Sequence, residues 1–157
     1  MKVRWDDILA GLQDQRAQIR LVAVPGPQGS TILDDTYNAS PASTIAALNL
    51  LAELDGRKIA VLGDMLELGS YEEEGHRLVG RRAMDVVGIL IAVGPRGRII
   101  GEEALSLGMS PDRVCLCDDN QAAIECLQAT VQPDDYVLVK GSRGMKMEEI
   151  VSALGKG

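Results

Sequence analysis

Apolar residues follow two alternating rhythms along this chain. Near-continuous apolar runs such as Ile59-Ala60-Val61-Leu62 and Tyr136-Val137-Leu138-Val139 read as strands buried on both faces, and strands are predicted over 57–63, 89–93, 113–117 and 136–140. Between the runs, apolar positions recur at three- and four-residue spacing, which predicts helices over 41–54, 76–87, 98–107, 120–131 and 147–154. Pro41 suits the first turn of the first of these, Ser40 suits its N-cap, and Ile45, Leu48, Leu51 and Ala52 share its inner face. Upstream, residues 20–24 and 31–34 read as two strands joined by the turn-forming Pro25-Gly26-Pro27-Gln28-Gly29-Ser30, a β-hairpin. Val3, Ile8, Leu9 and Leu12 predict a short amphipathic helix over 3–14. Strand and helix alternating in this way predict an α/β fold, a doubly wound and mostly parallel sheet led by an N-terminal hairpin.

Composition narrows the function classes. The 157 residues are 46% hydrophobic and 25% charged, which suits one folded domain. Aromatics are 3%, so stacking platforms for bases are scarce, and the net charge of -7 has the wrong sign for a nonspecific binder of nucleic acid or anionic membrane. No apolar run is long enough to span a bilayer and none marks a signal peptide, which points to the cytoplasm. Cys115, Cys117 and Cys126 are odd in number and lack a C-x-x-C pair, so they read as core thiols in a reducing compartment, with no disulfide and no metal site.

In an open α/β sheet, ligands bind beyond the carboxyl ends of the strands. Asp34 and Asp35, Asp64, Arg96, Asp118 and Asp119, and Lys140-Gly141-Ser142-Arg143-Gly144 all follow expected strands. The last segment is an anion-site candidate for a carboxylate or phosphate, because two glycines permit open amides and Lys140, Ser142 and Arg143 add donors. The alternative is a solvated turn before a helix. Asp34-Asp35-Thr36-Tyr37-Asn38 reads equally as a ligand site or as capping of the next helix, and adjacent aspartates on a strand face opposite ways. Glu72-Glu73-Glu74 reads as a solvated first helical turn, His76 as a structural histidine rather than a general base, and Gly94-Pro95-Arg96-Gly97 as a turn. No G-x-x-x-x-G-K-[ST] phosphate loop is present.

Three segments taken together, Asp34-Asp35-Thr36-Tyr37-Asn38-Ala39-Ser40-Pro41, Val61-Leu62-Gly63-Asp64-Met65-Leu66-Glu67-Leu68-Gly69 and Val137-Leu138-Val139-Lys140-Gly141-Ser142-Arg143-Gly144-Met145, resemble the C-terminal domain of the MurF-type Mur ligases. The resemblance implies an ATP- and Mg²⁺-dependent ligase of peptidoglycan synthesis. ATP would phosphorylate the carboxylate of UDP-N-acetylmuramoyl-tripeptide, and the amine of D-Ala-D-Ala would displace the phosphate. The P-loop would belong to a central domain, over which this domain closes while presenting the dipeptide, so the chain would be inactive alone. Residues 1–18 would then be the end of that central domain and a hinge, and 19–157 the C-terminal domain. By the same resemblance Arg20 and Asp35 contact the nucleotide, while Tyr37, Asn38, Asp64, Lys140, Ser142 and Arg143 serve the substrates. Ser40 and Ala42 depart from the Asn and Asp usual in the family. A receiver-like phospho-acceptor module, using Asp34, Asp35, Asp64 and Lys140, and a non-catalytic ligand-binding domain are the alternatives.

Overall fold

A computed structural model describes residues 21–155. The helix expected over 3–14, the hinge and Arg20 therefore lie outside the described residues. In chain order the elements are β1 (Val22–Pro25), β2 (Thr31–Asp35), α1 (Pro41–Ala52), β3 (Lys58–Leu62), α2 (Glu72–Val86), β4 (Ile89–Val93), α3 (Gly94–Ser106), β5 (Val114–Cys117), α4 (Asn120–Thr130), β6 (Tyr136–Lys140) and α5 (Glu148–Gly155).

The six strands form one sheet in the order β1-β2-β6-β3-β4-β5. Only β1 runs antiparallel, paired with β2 in the expected hairpin, and the other four pairings are parallel. Alternation along each strand divides the core in two. Leu33, Ala60, Leu62, Leu90 and Leu138 face α1, α2 and α3 through Leu48, Leu51, Val79, Ala83 and Ile100. Ile32, Ile59, Val61, Ile91, Val137 and Val139 face α4 and α5 through Ala123, Leu127, Ile150 and Leu154. This is the doubly wound sheet that the uninterrupted apolar strands required.

Helix boundaries follow local chemistry. Ser40 caps α1 as its sequence suggested. Its hydroxyl accepts from the Ser43 amide, and the Ser43 hydroxyl accepts from the Ser40 amide. Ala52 is exposed rather than inward, because α1 turns Thr44, Ala47 and Leu50 toward the core beside Leu48 and Leu51. α2 starts at Glu72, four residues before the expected start, and takes in the acidic turn whose carboxylates suit the positive end of a helix.

A candidate ligand cleft at the carboxyl edge

The return of β6 into the middle of the sheet creates the site. The helices after β2 and β3 cover one face and the helix after β6 covers the other, so chain directions diverge on both sides of the β6 carboxyl end. Such divergence opens a crevice between neighbouring strands.

Asp35 and Lys140 are register partners at the ends of β2 and β6, on the face carrying Leu33 and Leu138. Lys140 Nζ donates to Asp35 Oδ2 at 2.8 Å and to the Asn38 carbonyl at 2.9 Å. Both side chains are 3% exposed. The pair thus ties two strands to the loop ahead of α1. Asp34 points to the other face, where its Oδ1 accepts from the Thr36 hydroxyl and amide.

The loop after β3 is fastened to the loop after β6. Gly63 N donates to the Lys140 carbonyl, Ser142 N to the Asp64 carbonyl, and Leu66 N to Ser142 Oγ at 2.7 Å. A Cβ on Gly63 or Gly141 would collide with Met147 Sδ, so a side chain at either position would have to displace the buried Met147. Asp64 caps α3. Its Oδ1 accepts from the Arg96 and Gly97 amides at 2.9 and 2.7 Å, and its Oδ2 faces Arg96 Nη1 at 3.3 Å. His76 is fully buried, with Nε2 accepting from Met65 N and Nδ1 donating to the Glu72 carbonyl. The amide requires a lone pair at Nε2, which places the ring proton on Nδ1.

Two neighbouring clefts border these loops. One, of about 460 Å³, is lined by Tyr37, Asn38, Leu66, Glu67, Ser142, Arg143 and Gly144. The other, of about 410 Å³, is lined by Val22, Asp34, Thr36, Tyr37, Arg143 and Glu148. Tyr37 and Arg143 line both, and the Arg143 guanidinium carbon lies 5.2 Å from the Tyr37 ring centroid, in cation–π contact.

The chain matches the family model for the Mur ligase, glutamate ligase domain, over residues 19–143. It belongs to that family. It is 37% identical over 153 residues to the UDP-N-acetylmuramoyl-tripeptide--D-alanyl-D-alanine ligase of Bacillus subtilis, a match covering 95% of this chain and 33% of the relative. Among solved structures, MurF from Acinetobacter baumannii superposes with a TM-score of 0.75 at 30% identity, over 99% of this chain and 34% of that one. MurF from Thermotoga maritima in complex with ADP gives 0.68 at 26% identity, over 94% and 36%. The chain spans about a third of the length of these relatives.

In this Mur ligase domain, the anion segment read from sequence splits into two parts. Lys140 and Ser142 are buried and partnered within the domain and Gly141 is buried between them, whereas Arg143 and Gly144 are exposed at the cleft. Gly141 also packs closely, since a Cβ there would meet Met147 Sδ. Gly94-Pro95-Arg96-Gly97 is the first turn of α3, not a separate turn, because the Asp64 carboxylate satisfies its free amides. With its oxygens so engaged and Lys140 paired to Asp35, the acidic set imagined for a phospho-acceptor is not assembled. Among the described residues, no cluster of His, Cys, Asp or Glu could hold a metal ion, and no helix is long and apolar enough to cross a membrane.

Sequence reasoning passed over Glu67 and Thr36 as site residues. Thr36 carried no signal beyond its neighbours. Glu67 adopts φ 65°, a conformation invisible to composition and set by the loop's ties to Ser142 and His76.

Proposed function

We propose that this chain is the C-terminal domain of a cytoplasmic, ATP-dependent ligase that joins D-Ala-D-Ala to UDP-N-acetylmuramoyl-tripeptide in peptidoglycan synthesis. On this reading residues 1–18 end the central ATP-binding domain and 19–157 form the present one. The observation that carries the reading is the family match over 19–143, which takes in both β2 and β6 and so both walls of the cleft, together with relatives that bear that ligase's name.

Each residue then has work that its position allows. Arg143, exposed and aimed along the cleft by the Tyr37 ring, offers a planar fork of donors to a carboxylate or phosphate. Asn38 lines the same cleft, with its backbone carbonyl held by Lys140. Lys140, Ser142 and Asp64 act through the backbone they hold, being joined to Asp35, the Leu66 amide and the start of α3. Asp35 gives Oδ2 to Lys140, which leaves Oδ1 for a ribose hydroxyl, and Arg20 joins it at the nucleotide. ATP supplies the phosphoryl group that activates the tripeptide carboxylate. The residues described here fit its sugar and not its metal, so Mg²⁺ and the phosphates belong to the central domain. Closure of this domain onto that one excludes water from the activated acyl group.

The test is an assay of the intact polypeptide that carries this domain, with ATP, the tripeptide nucleotide and D-Ala-D-Ala. The reading requires phosphate release that depends on the dipeptide. It further requires Arg143→Ala to raise the KM for dipeptide more than that for ATP, and Asp35→Ala to do the reverse. An enzyme that releases no phosphate in the presence of all three substrates overturns it.

A further inference from the structure

The cleft of about 460 Å³ contains one carboxylate, Glu67, and one guanidinium, Arg143. Among the described residues Glu67 takes part in no ion pair or side-chain hydrogen bond, and the contact of Arg143 is the face of Tyr37. Both residues are exposed where they line the cleft, and among the described residues neither charge has an ion-pair partner.

Glu67 is also held there by the loop. Its backbone sits at φ 65°, which glycine adopts freely and a long side chain rarely does. The residues around it are fixed. Met65 N donates to His76, Leu66 N donates to Ser142, and Leu68 packs on the core. A left-handed residue enforced by its neighbours at the edge of a cleft is the kind of local strain that accompanies ligand contact.

We propose that Glu67 is a specificity-determining residue that binds the α-ammonium of a zwitterionic dipeptide whose carboxylate lies on Arg143. The inference rests on the ligase reading above and adds to it the residue that reads the amine end. Two residues of extended chain separate those charges by about 7 Å, within the reach of a cleft this size. A free ammonium is then required at one end and a free carboxylate at the other, which rejects N-blocked and amidated peptides by leaving one charge of the cleft unmatched.

The experiment is a ¹H–¹⁵N titration of the 157-residue chain with D-Ala-D-Ala, its N-acetyl derivative and its C-terminal amide. The free dipeptide is expected to shift the amides of Leu66, Glu67, Arg143 and Gly144. N-acetylation and Glu67→Gln should each weaken binding about tenfold and should not add to one another, as expected for loss of one charge-assisted contact. Arg143→Ala should instead weaken the free dipeptide while leaving the amide's affinity unchanged. Glu67→Gly, which relieves the backbone, serves as a second variant and should lose the same preference. The proposal is overturned if Glu67→Gln binds the dipeptide as wild type does, if the acetylated peptide binds equally well, or if no peptide shifts the cleft at tens of millimolar. Unchanged dipeptide binding in Glu67→Gln leaves the ligase reading standing. Glu67-dependent binding of other zwitterionic dipeptides, with D-Ala-D-Ala inert, supports the clamp and removes that reading.

Discussion

Lys140 and Asp35 stand 105 positions apart in sequence, yet their charged atoms meet at 2.8 Å with both side chains only 3% exposed. They meet because β6 enters the sheet beside β2 in a register that aligns the two positions. A buried pair of this kind is weak evidence for net stability, since desolvation opposes the Coulomb attraction. Its geometric effect is definite: it joins the ends of two strands and holds the Asn38 carbonyl beneath the cleft.

Lys140→Met is expected to lower stability by about 3–5 kcal/mol, because it leaves the Asp35 carboxylate buried without a partner. Asp35→Leu combined with Lys140→Met should lose less than the sum of the two single changes. Urea denaturation of the four proteins, with unchanged m-values, measures the coupling.

Ser142→Ala should cost about 1–3 kcal/mol by stranding the Leu66 amide, which now donates to Ser142 Oγ at 2.7 Å. Faster hydrogen exchange at Leu66 is the specific readout. Unaltered exchange there would show that the hydroxyl does not hold the loop.

Arg143→Ala should change folding stability by less than about 1 kcal/mol, because the side chain is exposed and its cation–π contact with Tyr37 is modest. Thermal unfolding separates this residue from Lys140, three positions earlier, whose loss destabilises the fold rather than merely disarming the cleft.

Hydrogen bonds from Arg81 and Arg77 on α2 hold the Glu103 carboxyl on α3 below the ordinary carboxylate range. A lowered folded-state pKa gives stability that is present above the unfolded carboxyl value, near 4.3, and is lost as pH falls through the folded value. Glu103→Gln should therefore flatten the acid side of the stability profile while lowering stability at neutral pH. Denaturation midpoints from pH 3 to 7 would show it.

Burial pushes the Cys126 thiol up to about 11, and burial raises Cys115 and Cys117 as well. Alkylation of the folded chain at neutral pH should be slow beside that of a free thiol and should accelerate on unfolding. Rapid labelling of Cys126 in the native state would contradict the packing of α4 against the sheet.

The strands were the most legible part of the chain. β4 and β6 have the limits that their apolar runs predicted, and β3 and β5 are shorter by a residue at one or both ends. Helix starts were less so. Gly94-Pro95-Arg96-Gly97 has the composition of a turn, and it begins a helix because a carboxylate from position 64 meets its amides. The site was legible as a set of residues near strand ends and illegible as a geometry. Lys140 looked like a ligand-binding cation until register placed Asp35 beside it, and Glu67 looked like one acidic residue among several until its backbone turned it into the cleft.

Apolar periodicity and turn residues act over a few neighbouring positions, and they were enough to reveal the class of fold and the edge where polar chemistry collects. Tertiary structure decided strand order, and with it which charges neutralise each other inside the domain and which remain for a ligand. The reason is physical: Coulomb and hydrogen-bond energies depend on distance and burial, and those quantities exist only once β6 has closed between β2 and β3.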